Sequence, residues 1–323
     1  KVSLCEKCHE GATPEFAEAF THSPLNAKSN PVAFRIRKVM VSVLSVFLLL
    51  LSLHLILDVA SQFRSIKHKK IRHTRKDIPW SLYQRLPRKV ERMDLHLRIQ
   101  HALLLVAIFY LAASGFALKF PEIRFSQAWI GLWGGVENAG HLHRFAALLL
   151  IIDSLYHILY IVIQRFRRKI SFKMLPNFDD ATHLFQNIRY LTGIQKEKPS
   201  FFTFTYIQKL DYWVVASVVL IMIMTGLMYW FPTVTARILP SQVTTWIWGA
   251  AYVIHSTEAF LILFFAFVWH FYNVHLKSRV FPMSWVWITG KIDLEDLMED
   301  HPGEFKKLLE SEKDKMKQPA ELE

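Results

Sequence analysis

Only two cysteines occur in the 323 residues, Cys5 and Cys8. A scaffold of two disulfides is therefore excluded, and a pair this close in sequence cannot staple distant parts of a fold. A second cysteine pair is missing too, which removes the zinc ribbon. Acidic residues are few, with 27 Asp and Glu against 39 Lys and Arg, for a formal net charge of +12. Such a balance suits an anionic partner, either nucleic acid or lipid. The basic residues cluster just outside long apolar segments, so they read as membrane topology, and no nucleic-acid partner is expected. The chain begins at Lys1 without an initiator Met or a signal peptide, and it is expected to be the remainder of a longer or processed chain.

Apolar length is plentiful. Hydrophobic residues make up 52% of the chain and aromatic residues 14%, above the roughly 45–50% apolar content of ordinary soluble domains. A helix needs about 20 residues to cross some 30 Å of hydrocarbon. Runs of that length lie at about 39–59, 99–120, 143–163, 212–231 and 247–272. They predict an all-α integral membrane protein with five transmembrane helices in a membrane domain spanning 39–276. Residues 1–38 form a polar segment ahead of it. Residues 277–323 form a charged tail, with helical stretches after Asp293 and around 301–317.

Charge sets the orientation. The loop 58–98 holds twelve Lys and Arg, and the loop 164–211 holds nine. The two loops on the other side hold one each, Arg124 and Arg237. The positive-inside rule makes the basic loops and the tail cytoplasmic, outweighing Arg35, Arg37 and Lys38. Trp129, Trp133, Trp230, Trp246 and Trp248 lie near the opposite helix ends, as an interfacial aromatic belt should.

An internal repeat runs through the last four spans. Ser114-Gly115 and Phe120-Pro121 are matched by Thr225-Gly226 and Phe231-Pro232 at an offset of 111. His143 is matched by His255 at 112, and His157 by His270 at 113. Spans two and three thus look like one hairpin, and spans four and five like its copy.

Two sets of residues carry chemistry. In CEKCH, Cys5 and Cys8 have the spacing that fixes a haem through two thioethers, and His9 is then an axial iron ligand. Such a haem is attached outside the cytoplasm. The N-terminus is therefore expected in the periplasm of a bacterial inner membrane, in agreement with the charge rule. His22 is a candidate ligand to this haem or a neighbouring one. The segment offers little to bury a haem, chiefly Val2, Leu4, Phe16, Phe20 and Leu25, and segments below about 40 residues rarely hold a core alone. A multihaem cytochrome c domain or subunit is expected beside it.

The second set lies in the spans. Six histidines occur there: His54, His101, His143, His157, His255 and His270. Ionisable side chains are costly in a bilayer and mark function, and neutral imidazole is a common ligand of haem iron. His143 and His157 are 14 residues apart, and His255 and His270 are 15 apart. On a helix each pair falls within about 60° of one face and roughly 21–22 Å apart along the axis, which suits two haems stacked through a membrane. By topology His143 and His255 lie at the outer ends, with His141 as a rival. His101 and His270 lie at the inner surface, and His54 and His157 slightly deeper.

These segments resemble a known family. RIQHALLLVAIFYLAASGFALKFPE (98–122) and HRFAALLLIIDSLYH (143–157) are similar to the first two spans of the membrane cytochrome b subunits of formate dehydrogenase-N and nickel-iron hydrogenases. YIQKLDYWVV and HSTEAFLILFFAFVWHFYNVHL (255–276) resemble the other two. CEKCHEGATPEFAEAFTHS, the extra first span and PMSWVWITGKIDLEDLMEDHPGEF (282–305) resemble a subgroup fused to, or partnered by, multihaem cytochromes c. The resemblance implies a four-helix haem b bundle that exchanges electrons with menaquinone. It implies an outer haem on His143 and His255 and an inner haem on His101 and His270. The repeat instead pairs His157 with His270, as in cytochromes b of quinol–cytochrome c reductases. A third arrangement adds a further b haem on His54 and His157.

Asp153 and Glu258 are candidates to accept a hydrogen bond from a ligand imidazole or to relay quinone protons. Tyr206, Lys209 and Tyr212 are candidate quinone contacts. The expected function is transmembrane electron transfer between menaquinone and periplasmic c-type haems, as a subunit of a quinone oxidoreductase. The alternative is an electron-relay or anchor subunit of a periplasmic dehydrogenase, reductase or hydrogenase complex, without a quinone site of its own.

Overall fold

The computed structural model describes residues 26–67, 78–167, 172–239, 241–278 and 280–317. Cys5, Cys8, His9 and His22 lie outside the described residues. Five helices are long and apolar enough to cross a membrane: Pro31–Arg64, Leu95–Lys119, Val136–Phe166, Tyr206–Trp230 and Trp246–Leu276. We refer to them as the first to fifth spans. Their apolar side chains are largely uncovered, Leu49, Phe109, Leu155 and Phe267 among them. Lipid is the solvent that such faces need, and the chain is a multi-pass, all-α membrane protein.

Most of the helices overrun their apolar runs because polar residues cap them further out. Asn30 accepts the Ala33 amide at 3.1 Å, with Pro31 at the first helical position. Asp94 accepts the Leu97 amide at 2.9 Å ahead of the second span. Thr205 and Gln208 bond reciprocally at 3.0 and 3.2 Å, a capping box that starts the fourth span at Tyr206 rather than Tyr212. The fifth span is α-helical to Phe264 and then turns π-helical over Phe265–His270 and Tyr272–Leu276. A π turn holds an extra residue, which accounts for the 15-residue spacing of His255 and His270 against 14 for His143 and His157.

The chain divides into two compact units, and every span contributes to both. The first comprises Lys1–Leu50, Leu103–Ser154 and Val214–Val268. Its buried positions are rich in alanine: Ala33, Ala107, Ala117, Ala139, Ala146, Ala250 and Ala251. Small residues let membrane helices approach closely. At Gly249 a Cβ would meet Asn30 Nδ2 and stand 3.0 Å from Ala33 Cβ, so glycine lets the fifth span approach the start of the first closely.

The second unit comprises Leu51–Ala102, Leu155–Trp213 and Trp269–Glu323. It holds an element that the sequence did not reveal, an antiparallel ribbon of β1 (Lys89–Glu91) and β2 (Lys291–Asp293) with Val90 opposite Ile292. The tail helices Leu294–Asp300 and Pro302–Lys317 follow β2. Leu294, Leu297, Met298 and Phe305 pack on Leu86, so the charged tail folds onto the basic loop after the first span. Gly290 turns the chain at φ +78°, where a Cβ would strike the Met93 carbonyl.

Candidate functional site: two facing histidine pairs

In the first unit, His143 of the third span faces His255 of the fifth, with ring centroids 6.4 Å apart. The second and fourth spans build matching cradles around these rings. Ser114 Oγ lies 2.9 Å from His143 Nδ1, and Thr225 Oγ1 lies 2.8 Å from His255 Nδ1. Each hydroxyl donates its one proton to a carbonyl a turn back, Tyr110 at 2.5 Å and Ile221 at 2.7 Å. Each must therefore accept from the imidazole. Both rings carry the proton on Nδ1, which leaves the Nε2 lone pair bare. The neighbouring glycines make room. A Cβ at Gly115 would lie 3.1 Å from His143 Cε1, and one at Gly226 would lie 3.4 Å from His255 Cε1.

In the second unit, His101 faces His270, again with centroids 6.4 Å apart. His101 Nδ1 is buried without a hydrogen-bond partner, and the Trp287 ring lies 5.6 Å away. His270 Nδ1 lies 3.4 Å from Asp211 Oδ2, whose other oxygen accepts the Trp269 indole N–H at 2.7 Å. A carboxylate on the far nitrogen fixes the tautomer and raises the basicity of the coordinating one.

These pairs fit haem iron. A first-row metal sits about 2 Å from each imidazole nitrogen, so a metal clamped between two rings puts their centroids roughly 6.3 Å apart. Both pairs show that separation. Two opposed imidazoles complete an iron whose other four ligands belong to a porphyrin. Among the described residues no group of three or more His, Cys, Asp or Glu converges as a bare ion would require. When bound, each haem supplies a one-electron couple; the protein holds it, orients the ligands and excludes water.

The other membrane histidines have partners at Nε2. Tyr206 Oη accepts from Asn187 Nδ2 at 2.7 Å and is hydrogen-bonded to His54 Nε2, 2.6 Å away. His157 gives Nδ1–H to Gln100 Oε1 at 2.8 Å, and its Nε2 accepts from Tyr212 Oη at 3.1 Å. His141 lies out at the surface near Glu137, at 3.8 Å. His96 contacts Tyr156 Oη at 2.7 Å.

Of the candidate quinone contacts, Tyr206 and Tyr212 thus hold histidines. Lys209 is buried and paired with Asp180 at 2.8 Å, which ties the fourth span to the helix Phe178–Thr192. Asp153 and Glu258 are buried in the first unit, and Asp153 Oδ1 has no hydrogen-bond partner. The oxygens that reach Nδ1 of His143, His255 and His270 belong instead to Ser114, Thr225 and Asp211. Sequence reading singled out the Ser-Gly and Thr-Gly pairs as repeat markers but missed what they do. The signal was their nearly equal offset from the two histidines, 29 and 30 residues. Asp211 stood inside the quoted YIQKLDYWVV without a role.

Membrane helices that present facing imidazole pairs are what a b-type membrane cytochrome needs. The chain matches the prokaryotic cytochrome b561 family over residues 92–282, more than half its length, and it belongs to that family. It is accordingly a membrane electron-transfer protein that works through haem b. The first span and everything before it lie outside the matched stretch. No curated protein matches the chain.

Proposed function

We propose that this cytochrome b carries electrons across a bacterial inner membrane, between menaquinone on the cytoplasmic side and c-type haems in the periplasm. One b haem is held by His143 and His255, and the other, on the quinone side, by His101 and His270. The observation that carries this reading is the occurrence of two opposed imidazole pairs at the same 6.4 Å separation. Two b haems are favoured over three because His54 and His157 have their Nε2 atoms on tyrosine hydroxyls. A c haem on Cys5 and Cys8, with His9 as a ligand, links the b haems to a multihaem cytochrome c partner.

The test is a reduced-minus-oxidised difference spectrum of the purified protein, with a naphthoquinol as reductant. Bands of b and c haems that both reduce with quinol are expected. His255→Ala should remove one b haem and leave the other, and His101→Ala should remove the other. Haem bands that ignore quinol, or both b haems surviving His255→Ala, overturn the proposal.

A further inference from the structure

Beside the His101–His270 pair, three spans of the second unit bring together a polar triplet that ligation does not use. Tyr212 of the fourth span donates to His157 Nε2 of the third, and His157 Nδ1–H donates to Gln100 Oε1 of the second. These two bonds fix the Gln100 amide with its nitrogen turned away from His157. That nitrogen is buried and has no partner, in a side chain only 5% exposed. A buried N–H without an acceptor is costly and calls for an explanation. Gln100 also directly precedes His101, so the vacant donor belongs to the surroundings of that ligand.

The missing partner is an acceptor oxygen, and its setting narrows the choice. Lys209, the basic residue nearest Tyr212 in sequence, is committed to Asp180. A neutral amide N–H is satisfied by a neutral carbonyl oxygen without the cost of burying a further charge. The third span on either side of His157 presents Leu155, Ile158 and Leu159 at 61%, 58% and 57% exposure. Apolar side chains so uncovered face lipid in a membrane helix; Leu155 and Leu159 lie on the face turned away from His157, and they place the triplet at membrane depth, where a lipid-soluble ligand is at hand.

Resting on the quinone reading above, we propose that Gln100, His157 and Tyr212 form the head-group site for a quinone. Gln100 Nε2 donates to one ring carbonyl oxygen. His157 and Tyr212 are positioning residues that hold the amide in that rotation. The site differs from the cluster expected from sequence, since Tyr206 serves His54 and Lys209 serves Asp180. Of that cluster only Tyr212 remains, and it acts at one remove.

The test uses the full-length, haem-loaded protein and an oxidised naphthoquinone with a two-isoprene tail. Binding is followed by retention of tritiated quinone and by the shift of the b-haem absorption band. Gln100→Leu removes the donor. Gln100→Glu, assayed at alkaline pH, removes it while keeping an oxygen for His157. Each should weaken binding about tenfold while the haem b content stays at two. Should Gln100→Leu lose haem, Gln100→Glu decides. Unchanged affinity in the haem-replete variant overturns this site and leaves the quinone reading standing. A wild-type protein that neither binds the quinone nor exchanges electrons with it overturns that reading and this site together.

Discussion

Ser114 Oγ accepts the Nδ1 proton of His143 at 2.9 Å while passing its own proton to the Tyr110 carbonyl. Thr225 does the same for His255 in the other half of the repeat. Each half thus supplies one imidazole and the hydroxyl that fixes its tautomer. The pseudo-symmetry of the chain is a symmetry of this histidine pair.

Removing that acceptor has a definite sign. A hydrogen bond from Nδ1 makes the imidazole more basic at Nε2, which favours oxidised iron. Ser114→Ala and Thr225→Val should each raise the midpoint potential of one b haem and lower its affinity by roughly tenfold or more. Thr225→Ser should restore both. Redox titration of the difference spectrum reads the outcome, and a potential that falls or stays fixed counts against the cradle.

The glycines give an order of severity. A methyl group at Gly115 would stand 3.1 Å from His143 Cε1, against 3.4 Å for one at Gly226 and His255. The first is a tight contact that the ring must yield to, and the second is close to ordinary packing. Gly115→Ala should therefore cost more haem than Gly226→Ala at equal protein yield. The reverse order would mean that the rings are not held where the cradle places them.

Much of this was legible in the sequence, for physical reasons. Apolar length finds membrane helices because lipid enforces it: three of the five runs lie within the observed spans, and the runs 99–120 and 212–231 each end one residue beyond theirs. Membrane histidines stand out because burying them is costly. What stayed hidden depends on side-chain direction and on contacts distant in sequence. The Asp211–His270 contact spans 59 positions. The ribbon joins Val90 to Ile292, two three-residue strands with no alternation long enough to notice. The π turn that carries His270 left only a one-residue drift in the repeat.

The partners of His54 and His157 bear on haem number. With Nε2 of each on a tyrosine hydroxyl, substitution should leave the b haems in place. His54→Phe and His157→Phe should both retain two b haems per chain by pyridine haemochrome assay. Loss of one from either variant would restore the arrangement with a third haem.

The N-terminal motif makes its own prediction. Haem on Cys5 and Cys8 is held by covalent thioethers, whereas b haems are held by coordination alone. Acid–acetone extraction should strip the b haems and leave one haem on the polypeptide. In Cys5→Ala/Cys8→Ala protein the residue after extraction should be colourless. A wild-type chain that loses all haem would remove the c-type site.

The tail contact predicts a pH response away from the haems. His301 is 2% exposed. Its Nδ1 donates to the Phe202 carbonyl at 2.8 Å, and its Nε2 faces Arg92 Nη2 at 3.4 Å. Arg92 also pairs with Glu304 at 2.5 Å and donates to the Thr203 carbonyl at 2.7 Å. Burial pushes the His301 imidazole below its ordinary pKa, and the Arg92 charge adds to that. The folded tail therefore holds this histidine neutral. As pH falls below the unfolded value of about 6.5, the released tail binds a proton that the docked tail refuses. Docking weakens progressively until the folded pKa is passed, and above about pH 7 the contribution is constant. A nitroxide label at the exposed position Lys306 should become more mobile between about pH 7 and pH 5. His301→Gln keeps a neutral donor and acceptor without titrating, so the response should vanish in that variant. A label whose mobility falls on acidification, or responds equally in His301→Gln, would show that another group controls the tail.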